Sequence, residues 1–369
     1  MFLLDTLLLL SPFAIYAFVR VVQQVATRRS KAIYIAASVA LAFGYPLAET
    51  LSHSGVGAWA KVVMIAGYCS LPFGLYLVLT VLASDCVVGV LRLLKLISRD
   101  TVRSPRFRRF RLAFWLIVPV IVVTVGLVNH QRLQVREYAI EVPRRSSAID
   151  QLRIVFVADI HLNAITADDL LERLVSKINA AGPDIVLIGG DVLEGDRPDE
   201  DTHGYEAQFR RIRAKYGVYG APGNHDRRIF ERTRFFQNAG IHFLSDTVER
   251  IDDAFYLAGR NDRRSSDRKS VEELLSGVSR DLPVILIAHR PTDFEASKAS
   301  GVDIQLSGHT HHGQVFPANL VTERQNPLSW GHLQQGPTQL FVTSGVQLWG
   351  PPVRTSGVAE IMLIKVRFR

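Results

Sequence analysis

Five short apolar runs in the C-terminal part of the sequence end in residues that bind divalent metals. Arg153–Ala158 runs into Asp159-Ile160-His161, and Asp184–Ile188 into Gly189-Gly190-Asp191. Gly217–Tyr219 leads to Gly223-Asn224-His225-Asp226, Pro283–Ala288 to His289, and Val302–Leu306 to Gly308-His309-Thr310-His311. One Asp after a strand means little, because turns and caps use it freely. Five in order are harder to explain that way. Carboxylate, imidazole and amide oxygens suit manganese, iron, zinc or a mixture. No cysteine stands among them, which disfavours a structural zinc site. Two such ions about 3.5–4 Å apart can share a carboxylate and a hydroxide, and they acidify water. They also neutralise charge on phosphoryl oxygens, which is most of what phosphoryl transfer requires.

Elements must position these side chains. The runs are β-branched and continuous, as buried strands are. Sites gather at the carboxyl ends of strands in α/β sheets. Leu170, Leu171, Leu174, Val175 and Ile178 recur at helical spacing, with Thr166 as the expected N-cap and Gly182-Pro183 as the stop. Further helices are expected near Tyr205–Lys215 and Arg228–Asn238, and further strands over Gln339–Thr343 and Ala359–Val366.

The first third reads differently. A crossing helix needs about 20 apolar residues, and four stretches qualify: Phe2–Val22, Ala32–Leu51, one from Ala58 towards Ile97, and Leu112–Val128. The third is too long for one straight span. It is either one span plus an amphipathic surface helix or two tight spans, five in all. A cleaved signal peptide has a single short apolar region and does not fit. Asp5 and Asp85 lie near span ends, where contact between helices is the expected role.

The net charge of +8 does not require nucleic acid as a partner, and none is expected. Much of the excess is Arg92, Lys95, Arg99, Arg103, Arg106, Arg108, Arg109 and Arg111, between apolar stretches. Such clusters mark cytoplasmic loops. With Arg20, Arg28, Arg29 and Lys31 in the first loop, four spans place the C-terminal domain outside the cytoplasm of an inner membrane. Arg132 and Arg136, after the last span, weigh the other way. Cys69 and Cys86 form no disulfide framework. The expected organisation is a transmembrane helical domain over 1–130, a linker over 131–150 and an α/β domain over 151–369.

The ordered set Asp159-x-His161, Gly190-Asp191-x-x-Glu194, Gly223-Asn224-His225-Asp226, His289 and Gly308-His309-x-His311 resembles the calcineurin-like metallophosphoesterases. The stretch Gly308–Gln314, with Thr343-Ser-Gly345 through Arg354 to Glu360, resembles their YkuE-like branch of membrane-anchored and exported phosphohydrolases. The resemblance implies a β-sandwich flanked by helices, behind an all-α transmembrane bundle of about four helices. It implies two divalent ions, manganese, zinc or iron. Asp159, His161 and His311 would bind the first, Asn224, His289 and His309 the second, and Asp191 both. His225 would act on the phosphate as donor or leaving-group acid, oriented by Asp226. Glu194 stands where Asp or Asn is commoner, and His312 where Gly is. His312 is either a substrate contact or a tolerated surface residue. The Gly259-Arg260-Asn261-Asp262 segment reads as a simple turn more than as part of the pocket.

The expected activity is hydrolysis of a phosphodiester or phosphomonoester by a metal-bridging hydroxide, with a lipid or envelope head group as substrate. The alternatives are a cytoplasm-facing pyrophosphohydrolase of a nucleotide-linked lipid, of the UDP-diacylglucosamine type, and a non-catalytic membrane scaffold. A scaffold would normally have lost ligands, and here the set is complete.

Overall fold

The structure, a computed structural model, describes residues 2–52, 58–143, 145–163, 165–194, 203–226, 229–263 and 265–369. The side chains of 2–10, 58, 203 and 229–233 are outside it, which leaves the expectation for Asp5 outside as well. The chain divides into two compact units.

The first unit comprises Met1–Val128 and Gly350–Thr355. Its helices are α1 (Phe2–Gln24), α2 (Arg28–Ser52), α3 (Ala58–Leu93), the short α4 (Arg99–Arg103) and α5 (Pro105–His130). Among the described residues, three are long and apolar enough to cross a membrane: α2, α3 from Trp59 onward, and α5. The long third stretch is one helix of 36 residues, not two tight spans. At about 1.5 Å per residue it is longer than a hydrocarbon core of about 30 Å. Pro72 lies within it without ending it, as prolines do in apolar helices whose neighbours restore the lost bond. Helices α2 and α3 approach closely at Gly44 and Gly67, where a Cβ on Gly67 would overlap the Gly44 carbonyl. Asp85 of α3 draws three elements together. It accepts from Arg20 Nε and Nη2 at 2.6 and 2.7 Å, from the Tyr16 hydroxyl at 2.6 Å, and from Arg111.

The second unit comprises Asn129–Trp349 and Ser356–Arg369. Its strands in chain order are β1 (Gln134–Val142), β2 (Gln151–Val157), β3 (Ile185–Ile188), β4 (Val218–Gly220), β5 (His242–Phe243), β6 (Thr247–Ile251), β7 (Phe255–Gly259), β8 (Val284–Ile287), β9 (Ile304–Ser307), β10 (Gly331–Gln335), β11 (Thr338–Val342) and β12 (Glu360–Phe368). They form two six-stranded sheets, β1-β12-β2-β3-β4-β5 and β10-β11-β9-β8-β7-β6. The 131–150 stretch, read as a linker, contains β1, which pairs in parallel with β12. Strands β2 to β5 run parallel in the first sheet, and β7, β8, β9 and β11 in the second.

Inner faces of both sheets share one apolar core, including Ile154, Phe156, Leu187, Leu257, Ile285, Ile304, Phe341 and Ile364. Leu171, Leu174 and Ile178 of α6 (Leu170–Ala180), Phe209 of α7 (His203–Phe209) and Phe235 and Phe236 of α8 (Ile229–Asn238) cover the first sheet. Val271 and Leu274 of α9 (Val271–Leu274) and Ala296 of α10 (Phe294–Ala299) cover the second. Helix α11 (Ala318–Gln325) follows the His309–His311 loop. Thr166 does not cap α6, which begins at Leu170 after Asp169. Its hydroxyl accepts from the Asn163 N–H instead, closing a local turn.

Candidate metal centre

Every expected ligand leaves the carboxyl end of a parallel strand. β2 delivers Asp159 and His161, β3 Asp191, β4 Asn224, β8 His289 and β9 His309 and His311. Each segment then turns sharply so that its side chain rises from the sheet edge. Asp159, His161, Asp191, His309 and His311 all have positive φ, between 43° and 70°. Such conformations cost about 1–3 kcal/mol each and persist where packing over-determines them. The motif glycines are part of that packing. A Cβ on Gly223 would fall on the Asp191 carboxylate, and one on Gly308 on that of Asp159.

Three groups of donors result among the described residues; one is His161, Glu194 and His225, and the other two consist of expected ligands alone. Asp159, His161 and His311 place donor atoms within 4.8 Å of one another, and so do Asp191, His289 and His309. Asp191 Oδ2 stands between them, 3.1 Å from His289 Nε2 and 3.9 Å from His161 Nε2. Asn224 Oδ1 is 3.2 Å from His289 Nε2. His311 Nε2 is 3.2 Å from His161 Nε2 and 3.7 Å from Asp159 Oδ1. Asp159 and Asp191 are essentially inaccessible to solvent. Two buried carboxylates this near need positive charge to be tolerated.

Outer contacts set the tautomers. His161 donates from Nδ1 to Glu194 Oε2 at 2.5 Å, and His289 from Nδ1 to the Gly189 carbonyl at 2.7 Å. Each ring is thus held with Nε2 inward, the nitrogen that would face a metal. Glu194 also takes Nδ1 of His225, at 2.8 Å through Oε1. Asp226 Oδ2 accepts from the backbone N–H groups of Asp191 and Gly223, which fixes the loop that carries His225. The Nδ1 partner of His225 is therefore the residue that the motif left without a role.

The electrostatics follow. Burial works against charge on Glu194, yet the Nδ1–H groups of His161 and His225 hold its carboxyl at about 2. Burial also opposes charge on His289, but the Asp191 carboxylate pushes it up to about 10. Burial raises Asp159, whereas Asp191, against His289, is lowered despite burial. His309 is pushed down to about 3 by burial and by the charges of His289 and Arg290.

The Gly259–Asp262 segment is more than a turn. Asp262 Oδ2 accepts from Arg290 Nε at 2.8 Å, and Arg290 Nη1 donates to His309 Nε2 at 2.7 Å. His312 is hydrogen bonded to Ser329 Oγ at 3.1 Å, and its ring centroid lies 5.0 Å from that of Trp330. Trp349, 45% exposed, lies with its ring 6.3 Å from that of His225.

Known proteins resemble much of the chain. The calcineurin-like phosphoesterase family model matches residues 152–313. A transmembrane protein with metallophosphoesterase domain from Danio rerio is 32% identical over 300 residues, 75% of this chain and 68% of that protein. A Bos taurus protein of the same description is 29% identical over 273 residues, 68% of this chain and 61% of that one. The uncharacterized metallophosphoesterase YkuE of Bacillus subtilis (strain 168) is 25% identical over 248 residues, 64% of this chain and 86% of YkuE.

Proposed function

We propose that this chain, which belongs to the calcineurin-like family of metal-dependent phosphoesterases, is a membrane-anchored hydrolase of a lipid or envelope phosphate ester. The observation that carries the reading is Asp191 Oδ2, buried between the two ligand groups. Asp159, His161 and His311 would hold one divalent ion, Asn224, His289 and His309 a second, and Asp191 both. The donors fit: the described ring nitrogens and carboxylates converge, and no thiol is among them. When bound, such ions supply Lewis acidity that acidifies water and offsets phosphoryl charge.

The chain's own residues do the rest. Glu194 accepts a hydrogen bond from Nδ1–H of His225, which leaves Nε2 as the nitrogen that can hand a proton to the leaving oxygen. Asp226 keeps His225 in place through the backbone of its loop. The exposed Trp349 beside His225 offers apolar surface to a substrate with an apolar body. Helices long enough to cross a membrane, and relatives described as transmembrane, support an anchored enzyme.

Four crossing helices would put the amino terminus and the phosphoesterase domain on one side of the membrane. The basic residues of the α1–α2 and α3–α5 connections favour the extracytoplasmic side of an inner membrane. A lipid extract incubated with purified protein and with His225→Ala, read by mass spectrometry, tests the substrate class. A head group lost only with the wild type supports it, and identical spectra remove it. A carboxyl-terminal fusion to a phosphatase that works only outside the cytoplasm tests the side. A silent phosphatase fusion alongside a bright cytoplasmic fluorescent fusion would favour a cytoplasm-facing pyrophosphohydrolase.

A further inference from the structure

Arg290 follows His289 directly, and its guanidinium lies against another expected ligand, His309. Nε is anchored on Asp262, Nη1 donates to His309, and Nη2 has no hydrogen-bond partner among the described residues. The side chain is 20% exposed, so it reaches solvent beside His309.

A guanidinium only donates, so the Nε2 lone pair of His309 is turned on Arg290. A neutral imidazole has one in-plane lone pair and one N–H. If either nitrogen gives its lone pair to a metal, the other keeps the proton and can no longer accept. His309 serving as a ligand therefore releases Nη1, while Asp262 still holds Nε. The outcome is a guanidinium fixed at its stem with two free donor groups beside the second ligand group. His225 lies at the other group, its ring 5.1 Å from that of His161. Arg290 is thus placed for the oxygens that stay on phosphorus, away from the leaving oxygen.

We infer that Arg290 binds the non-leaving oxygens of the substrate's phosphoryl group and selects a phosphomonoester dianion over a diester. The inference rests on the hydrolase reading above and names its substrate class. A monoester presents one more charged terminal oxygen than a diester. The planar guanidinium can take two such oxygens at once. A diester still offers two terminal oxygens, but they share one negative charge where the monoester dianion carries two.

The test uses the full-length, metal-loaded protein in detergent, with Arg290→Gln and Arg290→Lys. Orthophosphate binding is measured by calorimetry, metal content by mass spectrometry, and turnover with p-nitrophenyl phosphate and bis-p-nitrophenyl phosphate. Arg290→Gln weakens orthophosphate binding and raises the monoester KM by about 10- to 100-fold. Its diester kcat/KM falls several-fold less than the monoester's, and bound metal stays at the wild-type level. Arg290→Lys, which keeps the charge and loses the fork, falls between, and gives the same readout should the Gln variant fail to fold.

Unchanged orthophosphate affinity, equal losses on both esters, or loss of metal in both variants overturns the assignment. Arg290 would then only balance Asp262 or support His309. Phosphatidic acid in micelles and glycerol phosphate in solution distinguish lipid from soluble sources of the dianion. Whichever is hydrolysed must show the raised KM. A wild type that binds orthophosphate through Arg290 but hydrolyses neither ester would sink the hydrolase reading and leave this site standing.

Discussion

Glu194 joins His225 to His161: one carboxylate accepts from Nδ1 of both rings, at 2.8 and 2.5 Å. The expected leaving-group acid and an expected metal ligand therefore share a single anchor. Glu194→Gln should leave the fold intact and lower kcat about 10- to 100-fold, because an amide cannot enforce both tautomers. Glu194→Asp, being shorter, should reach one ring and recover part of the loss. Steady-state kinetics on a generic ester decides, and an unchanged kcat in Glu194→Gln would remove this role.

The pH dependence of metal uptake follows from His289. Its imidazole is lifted from 6.5 to about 10, so binding an ion at neutral pH must expel its proton. Apparent affinity should tighten by up to about tenfold per pH unit between about pH 7 and 9. Calorimetry in buffers of different ionisation enthalpy should show about one proton released per chain at the second ligand group. A pH-independent affinity would contradict it.

Stability without metal carries the matching signature. A raised His289 contributes stability that is complete below 6.5 and is lost as pH rises through about 10. Glu194, held at about 2 against an ordinary 4.5, contributes above 4.5 and is lost as pH falls through about 2. Metal-depleted protein should therefore lose unfolding temperature on the alkaline side, where metal-loaded protein loses less. Thermal scans from about pH 6 to 10 compare the two.

Gly223→Ala should cost about 2–4 kcal/mol and disturb metal binding, because the added carbon lands on Asp191. Gly204→Ala is the control, since nothing lies within 4 Å of its added carbon. Denaturant unfolding of both variants checks this, and equal stability would contradict the close approach.

In the helical unit, Asp85→Asn removes the negative charge, and one of the two acceptor oxygens, shared by Arg20, Arg111 and Tyr16. Arg111 is nearly buried, so its charge would lose its counter-ion. The expected loss is about 3 kcal/mol, read as thermal unfolding in detergent. Arg20→Gln should cost less, because Arg20 is partly exposed. Unchanged unfolding in Asp85→Asn would contradict the cluster.

Much of the candidate site's geometry was legible because its signal is local. Apolar runs specify buried strands, and the donors stand at their ends, as at Val157–Asp159 and Ile188–Asp191. The helix over Leu170–Ala180 was legible from its apolar period, but its start was not, because Thr166 spends its hydroxyl on Asn163. Asp262 reads from the sequence as a turn residue, and nothing there marks Arg290. Their pairing depends on β7 and β8 lying side by side, which no periodicity specifies. Strand β1 has exposed and buried positions of weak contrast, and its partner β12 lies at the far end of the chain. The second role of Glu194 depends on the fold bringing His161 and His225 together.

The most direct measurement is the metal content of the purified full-length chain, by mass spectrometry, for the wild type and Asn224→Ala. Two divalent ions per chain are expected for the wild type, as the two ligand groups on either side of Asp191 require. Asn224→Ala should lose one of them and about two orders of magnitude or more in ester hydrolysis. A wild type that binds no divalent ion, or an Asn224→Ala chain with full metal and full activity, would contradict the account.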